Sequence, residues 1–174
     1  GYEFAGWHEK QDLTDDAIFT IAEGTIGNKA YYASWKESVY SITYMDGKNK
    51  IENLSPVSYT TTVRTELPTP SKEGYAFTGW YSDADFKNKV SSIPNGSTGD
   101  KIFYAKFTIN QYTITFESNG GSETGAVKQD YGTTITKPAD PTKTGYTFAG
   151  WFKDNNTFLQ EWNFDTDTMP VNGT

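Results

Sequence analysis

The chain has 174 residues, a formal net charge of -7, no cysteine, and hydrophobic residues at only 35% of its positions. Disulfides, thiolate metal sites and cysteine nucleophiles are thereby excluded, and the acidic balance argues against a protein that grips nucleic acid through a basic face. Five Trp, twelve Tyr and eleven Phe must supply much of the core; large rings among so few aliphatics favour strands, whose pleated surface accommodates aromatic and β-branched side chains.

The chain opens on Gly1-Tyr2-Glu3-Phe4-Ala5-Gly6-Trp7, and the pattern Gly-Tyr-x-Phe-x-Gly-Trp returns at Gly74–Trp80 and Gly145–Trp151, at offsets of 73 and 71 residues. Five fixed positions recurring three times at near-constant spacing mark an internal repeat. Ile21–Trp35 matches Ile93–Phe107 at an offset of 72, and within it Tyr31, Ala33 and Trp35 form the expected inward face of a strand. Tyr40–Tyr44 alternates Tyr and Ile with Ser and Thr, the period-2 pattern of a strand with one buried face. Asp46-Gly47 marks a reversal after it. Ser58–Arg64, rich in Thr, Val and Tyr, reads as a second strand that Pro68 and Pro70 bring to an end. Tyr75–Trp80 reads as a short strand with Tyr75 and Phe77 on one face and Trp80 on the other, Gly79 leaving room for a bulge. Asp83–Val90 accommodates at most one helical turn. Phe103, Ala105 and Phe107 share the inward face of a closing strand. Tyr112–Phe116 then repeats the first strand at an offset of 72, Asn119-Gly120 repeats its turn, and Lys137–Tyr146 parallels Glu66–Tyr75.

The period of about 72 residues divides the chain into the C-terminal half of a repeat at 1–37, a complete repeat at 38–109, and a repeat at 110–174 that reaches Met169-Pro170-Val171-Asn172-Gly173-Thr174 before any closing strand. The expected class is β-rich α+β with little helix, cut from a longer array.

Tyr-x-Ile-Thr-Phe, the spaced prolines leading into Gly-Tyr-x-Phe-x-Gly-Trp, the Trp162-Asn163-Phe164 patch and a closing Tyr-Ala-x-Trp/Phe together resemble the Listeria–Bacteroides repeat, which includes the B-repeat of listerial internalins. The likeness covers nearly the whole chain and is fullest at 137–169. It implies a compact β-grasp (ubiquitin-like) domain per repeat, an extracellular bacterial surface protein, and tandem stalks between an adhesive tip and the cell wall. It brings no catalytic residue. The middle unit departs from the pattern in having Phe86 and Val90 where the Trp-Asn-Phe patch would be, and its Pro68-x-Pro70 spacing is one residue tighter.

Candidate sites are few. His8, the single histidine, follows the first Gly-Trp where the sister units have Tyr81 and Phe152, so it reads as a packing variant; a Ser-His-Asp triad built on it would exist once in an array of like domains. Asp15-Asp16, Asp83/Asp85 and Asp165/Asp167 follow the Gly-Trp motifs, and clustered oxygens could hold Ca²⁺, which takes 6–8 ligands; solvated surface acids are the plainer reading. Trp7, Trp80 and Trp151 read as core, with sugar-stacking platforms as the alternative. The glycines lack the Lys-Ser/Thr of a phosphate loop. No catalytic residue, cofactor or metal is expected, and no binding residue is assigned. No segment reaches the ~20 apolar residues of a membrane-spanning helix, and the chain does not open on a signal peptide. The expectation is a non-catalytic surface segment that acts as a semi-rigid spacer or stalk, with a part in adhesion, and whose partners are neighbouring repeats; a carbohydrate- or host-receptor-binding module using exposed aromatics is the alternative. A further expectation is head-to-tail association, the strand at Ala30–Trp35 of one molecule completing the last unit of another.

Overall fold

The computed structural model describes residues 1–169; the end of the third unit, 170–174, lies outside the described residues. Every regular element is a strand. The β-rich class expected from the aromatic, alternating segments is what forms, but the α component is corrected: the described residues contain no helix. Asp83–Val90, with room for a helical turn, closes instead as a loop around Asp83 that runs into a short strand at Lys89–Val90. Its carboxylate accepts N–H bonds from Lys87 (3.0 Å) and Asn88 (2.7 Å), and Phe86 sits at φ 58°, which no right-handed helix tolerates.

The complete repeat is built on β3 (Val39–Asp46), which turns through Gly47 and Lys48 into β4 (Asn49–Lys50). Gly47, at φ 60°, supplies the left-handed residue that a two-residue hairpin requires. β5 (Ser58–Thr60) pairs antiparallel with the start of β3, Tyr59 opposite Tyr40. The strand expected over Ser58–Arg64 is therefore shorter than its Thr- and Val-rich sequence suggests. The chain leaves β3 after Thr60, and the Thr61 carbonyl turns to accept the Gly96 N–H at 2.6 Å. β6 (Thr65–Glu66) pairs with β9 (Ser92–Ile93), and β7 (Tyr75–Tyr81) with β8 (Lys89–Val90). The closing strand β10 (Lys101–Ile109) returns parallel to β3, Lys101 opposite Ile42 and Tyr104 opposite Met45. The sheet order is β4-β3-β10-β7-β8, with β5 also on β3.

Period-2 alternation fills the core of this repeat. Ile42 and Tyr44 from β3 and Phe103 and Ala105 from β10 are buried, with Tyr59, Trp80 and Ile93. The polar tips of its large rings all find carbonyls: Tyr44 Oη donates to Pro56 O (2.8 Å), Tyr59 Oη to Gly99 O (2.6 Å) and Trp80 Nε1 to Pro68 O (2.6 Å). These bonds let amphipathic rings serve as core without leaving buried donors unpaired. The Asp100 carboxylate accepts the Ser41 N–H at 2.8 Å, fixing the entry of the closing strand against β3.

Outside this repeat the described strands come as two antiparallel pairs. At the N-terminus β1 (Tyr2–His8) and β2 (Tyr32–Glu37) form an antiparallel pair. In the third unit β11 (Gln111–Phe116) and β12 (Thr124–Asp130) do the same, the chain reversing through Asn119 and Gly120, both at positive φ. Its signature segment Gly145–Trp151 carries no strand, only the isolated bridge of Lys143 to Tyr146. Ile135, Trp151 and Met169 are its buried apolar residues. By internal contacts the chain groups into two compact units, Gly1–Pro70 with Gly79–Lys106, and Ser71–Thr78 with the residues from Phe107 onward.

Candidate functional site

In the first unit the signature segment carries a bulge. In the β1–β2 ladder Phe4 faces Trp35 and Gly6 faces Ser34, so Ala5 is the extra residue. Gly6, Gly79 and Gly150 sit at φ 126°, 145° and 143°, a region that side chains avoid. In the first and third units Phe and Trp, three residues apart, meet edge to face, Phe4 with Trp7 and Phe148 with Trp151, both at 5.2 Å. In the middle unit Phe77 packs on Phe107 while Trp80 packs on Tyr44.

What covers these tryptophans differs. Trp80 is 2% exposed and Trp151 8%; each lies under a ring from the first strand of its own unit, Tyr44 at 4.9 Å and Phe116 at 4.8 Å. Trp7 is 42% exposed, touching only rings of its own half-unit, with a cavity of about 470 Å³ beside it lined by Ile18, Phe19, Ile21 and Tyr31. Trp35, expected to face inward with Tyr31 and Ala33, is exposed, because no first strand lies across it.

The loop after each Gly-Trp is held by a carboxylate. Asp83 and Asp154 occupy the third position after the Trp. Asp154 Oδ1 accepts N–H bonds from Asn156 (3.1 Å), Thr157 (2.6 Å) and Phe158 (3.1 Å), as well as the Thr157 hydroxyl. In the first unit Asp15 reaches back to the amides of Glu9 (2.8 Å) and Lys10 (3.4 Å). The Lys87 amide holds the Asp83 carboxyl below its ordinary value, and the Thr157 amide and hydroxyl hold Asp154 well below it. Partial burial works to raise Asp15, but the amides of Glu9 and Lys10 outweigh it and the net direction is down. Asp167 is lowered by Lys153, whose Nζ lies 2.8 Å away. These acids are thus turned toward their own loops, and among the described residues no three acids or histidines gather around a common point. Asp154 was missed in the sequence; the Gly-Trp-x-x-Asp spacing it shares with Asp83 was the available signal.

His8 is buried, its Nδ1 2.9 Å from Asp15 O and 3.3 Å from Asp15 Oδ1, its Nε2 3.0 Å from Ser34 Oγ. The structure thus brings a Ser, a His and an Asp together, but each has local work. The Asp15 carboxylate closes the loop, the shortest Nδ1 contact is to a main-chain carbonyl, and Ser34 Oγ also donates to Gly6 O at 3.2 Å. In the complete repeat the same pair of positions is Tyr81 and Lys106, the ammonium standing 5.6 Å over the ring. Both pairs tie the residue after the signature Trp to the closing strand.

The third unit contains a groove of about 720 Å³ between β11 and the signature segment, lined by Ile114, Phe116, Phe148, Trp151, Phe158 and Trp162 among others. Trp151 Nε1 and Trp162 Nε1 are buried there and find no hydrogen-bond partner among the described residues. In the middle repeat the corresponding elements, β3 and β7, have β10 between them.

The class these features define is a tandem array of small aromatic-cored β repeats. The Listeria–Bacteroides repeat domain matches residues 40–106 and again 112–174, and the chain belongs to this family. It is 35% identical over its full length to a protein of Evansella cellulosilytica provisionally named a membrane protein, and 37% identical over 97% of its length to a second from that organism, provisionally named a Gly-rich membrane protein. To internalin H of Listeria monocytogenes it is 42% identical over 61% of its length. The chain spans only 26%, 20% and 19% of these relatives. No solved structure matches it. The described residues hold no helix long and apolar enough to cross a membrane.

Proposed function

We propose that this chain is a non-catalytic segment of a bacterial surface protein, outside the cell, in which tandem β-grasp repeats act as a semi-rigid spacer. The observation that carries this reading is the shortness of the connections. A single residue, Ser38, separates β2 from β3, and a single residue, Asn110, separates β10 from β11. Both are tied down by their amides: Ser38 N–H donates to Gly1 O at 2.8 Å and Asn110 N–H to Gly74 O at 2.9 Å. A linker with its only free residue hydrogen-bonded cannot behave as a Gly/Ser coil. The order β4-β3-β10-β7-β8, with first and last strands parallel at the centre, supports the β-grasp reading, and the two family matches support unit boundaries near 38 and 110. The names of the relatives support a surface location. Small-angle scattering from chains of two, four and six repeats tests the spacer: the longest dimension should rise in proportion to repeat number. Dimensions that grow only as a compact globule would overturn it.

A second reading, a carbohydrate- or receptor-binding module, draws on the aromatic groove of the third unit and its unpaired indole N–H groups. Glycan-array binding by the chain, lost in Trp162→Ala, would favour it; no binding, or binding the variant retains, would count against it. The expected head-to-tail association belongs with this groove. Sedimentation velocity over a hundredfold concentration range tests it, and a monomer throughout argues against strand exchange.

A further inference from the structure

The signature glycine at the head of Gly-Tyr-x-Phe-x-Gly-Trp occurs three times, in three different settings. Gly74 is buried, and a methyl group placed on it would overlap the ring of Tyr131, which belongs to the following repeat. A methyl on Gly1 would likewise overlap the side chain of Thr61, again from the following repeat. Around Gly145 the described residues leave open space, and that glycine is exposed. Thr61 and Tyr131 hold matching places, each the first residue after the strand that pairs with the start of β3 or β11.

Main-chain bonds accompany both contacts. Asn110 bridges the second junction, donating its N–H to Gly74 O (2.9 Å) and accepting from Tyr131 N–H (2.8 Å). The Tyr131 ring is half-buried and meets Tyr112 edge to face at 6.4 Å, and desolvation, with the Glu73 carboxylate adding to it, pushes its hydroxyl up. At the first junction Ser38 makes the equivalent bond to Gly1 O, and the Thr62 hydroxyl reaches the Glu37 carboxylate.

From these parallels we infer that the signature glycine forms a socket for the next copy of the repeat, and that the residue after the second strand, Tyr131 or Thr61, is the plug that fills it. The inference rests on the spacer reading and supplies its joint. The glycine is needed twice over: for its positive φ, 76° at Gly74 and 82° at Gly145, and, where a plug is present, for its missing side chain. The plug sets the tightness of each joint, a Tyr burying more of the corner than a Thr. The open corner at Gly145 presents the same socket to the second-strand end of another repeat.

The three contexts supply their own control. Gly74→Ala and Gly145→Ala meet the same backbone cost, but only the first places a methyl against a plug. In the 174-residue chain, amide exchange by NMR at Asn110 and Tyr131 should accelerate by at least about tenfold in Gly74→Ala, since a tenfold change corresponds to only ~1.4 kcal/mol of lost protection. Gly145→Ala should leave both amides unchanged. The absence of native cysteine allows clean spin labelling at Glu52 and Glu123. The interlabel distance distribution should be narrow in the parent and broad in Gly74→Ala and in Tyr131→Ala, with Tyr131→Thr between. Tyr131→Ala keeps the glycine and so tests the joint even where Gly74→Ala fails to fold. Equal behaviour of the two glycine variants, or an unchanged distribution in Tyr131→Ala, overturns the joint. A distribution already broad in the parent overturns the rigid spacer itself, which separates the two failures.

Discussion

Ile21 and Ile93 occupy the same place in two copies of one repeat, 72 residues apart, yet Ile21 is 60% exposed and Ile93 only 2%. Trp7 and Trp80 differ in the same sense. The local sequence is nearly the same in each pair, and so is the local pairing of the residue after the Trp loop: Ile18 N–H bonds Trp7 O at 2.8 Å, and Val90 pairs with Trp80. The difference lies in what comes from elsewhere in the chain. In the complete repeat β3 lays Tyr44 over Trp80, and β6 pairs with the strand that carries Ile93. Among the described residues no strand takes those places beside Trp7 and Ile21. An apolar residue in this repeat is therefore core only in company with the first half of its unit, and the hydrophobic free energy is gained by non-local closure.

The sharpest way to break this contrast is to truncate the two tryptophans. Trp80→Ala should cost about 3–5 kcal/mol, the range for deleting a buried aromatic, whereas Trp7→Ala should cost about 1 kcal/mol. Urea unfolding followed by calorimetry and circular dichroism measures both, and equal losses would show that Trp7 is as much a core residue as Trp80.

Tyr44 provides the next largest effect. Burial pushes its hydroxyl up to about 12, while the unfolded chain ionises near pH 10. Between these values the unfolded state has lost the proton and the folded state has kept it. Stability is thus fully present below pH 10 and falls by roughly 2 kcal/mol as pH rises towards 12. Tyr44→Phe should remove that share of the alkaline loss from the complete repeat, and a variant with the parent's full alkaline slope would assign the loss to other tyrosines.

Much of this architecture was legible in the sequence, for a physical reason. Period-2 alternation directly reports a strand with one buried face, so Tyr40–Tyr44 and Phe103–Phe107 were readable, and the Asp46-Gly47 turn followed from its need for positive φ. Four things were not readable. The bulge before Gly6 brings Phe4 onto Trp7, and a glycine in a strand pattern does not say whether it is a bulge or a flat strand. Trp35 looked inward because alternation gives parity, not the presence of a covering strand. The plug at Tyr131 and Thr61 is not identical between repeats, so only the contact reveals that the two residues do the same work. The partnership of His8 with Ser34 is likewise a tertiary fact, 26 residues apart in the chain.

A smaller effect sharpens the contrast from the other side of the same loops. Ile93→Val should cost about 0.5–1.5 kcal/mol and Ile21→Val close to nothing, because a methyl is lost from a packed interior in one and from solvent-facing surface in the other. Paired thermal melts decide this, and a matching loss at Ile21 would mean that the half-unit has found a cover for its apolar face, as strand exchange between molecules would provide.

The smallest effect should show no contrast at all. Asp15 and Asp83 are held by amides of their own loops, within seven residues of each carboxylate, and such bonds do not depend on whether a first strand is present. Both folded-state values are lowered, so each carboxylate favours the folded loop at neutral pH, and that contribution disappears as pH falls through the folded value, below about 4. Carbon-detected NMR titration of the two side chains should place both midpoints below that of an ordinary aspartate, in the half-unit as in the complete repeat. An Asp15 that titrates normally while Asp83 does not would mean that the loop, too, needs the finished core. The division between local loops and non-local core would then fail where it is most exposed to test.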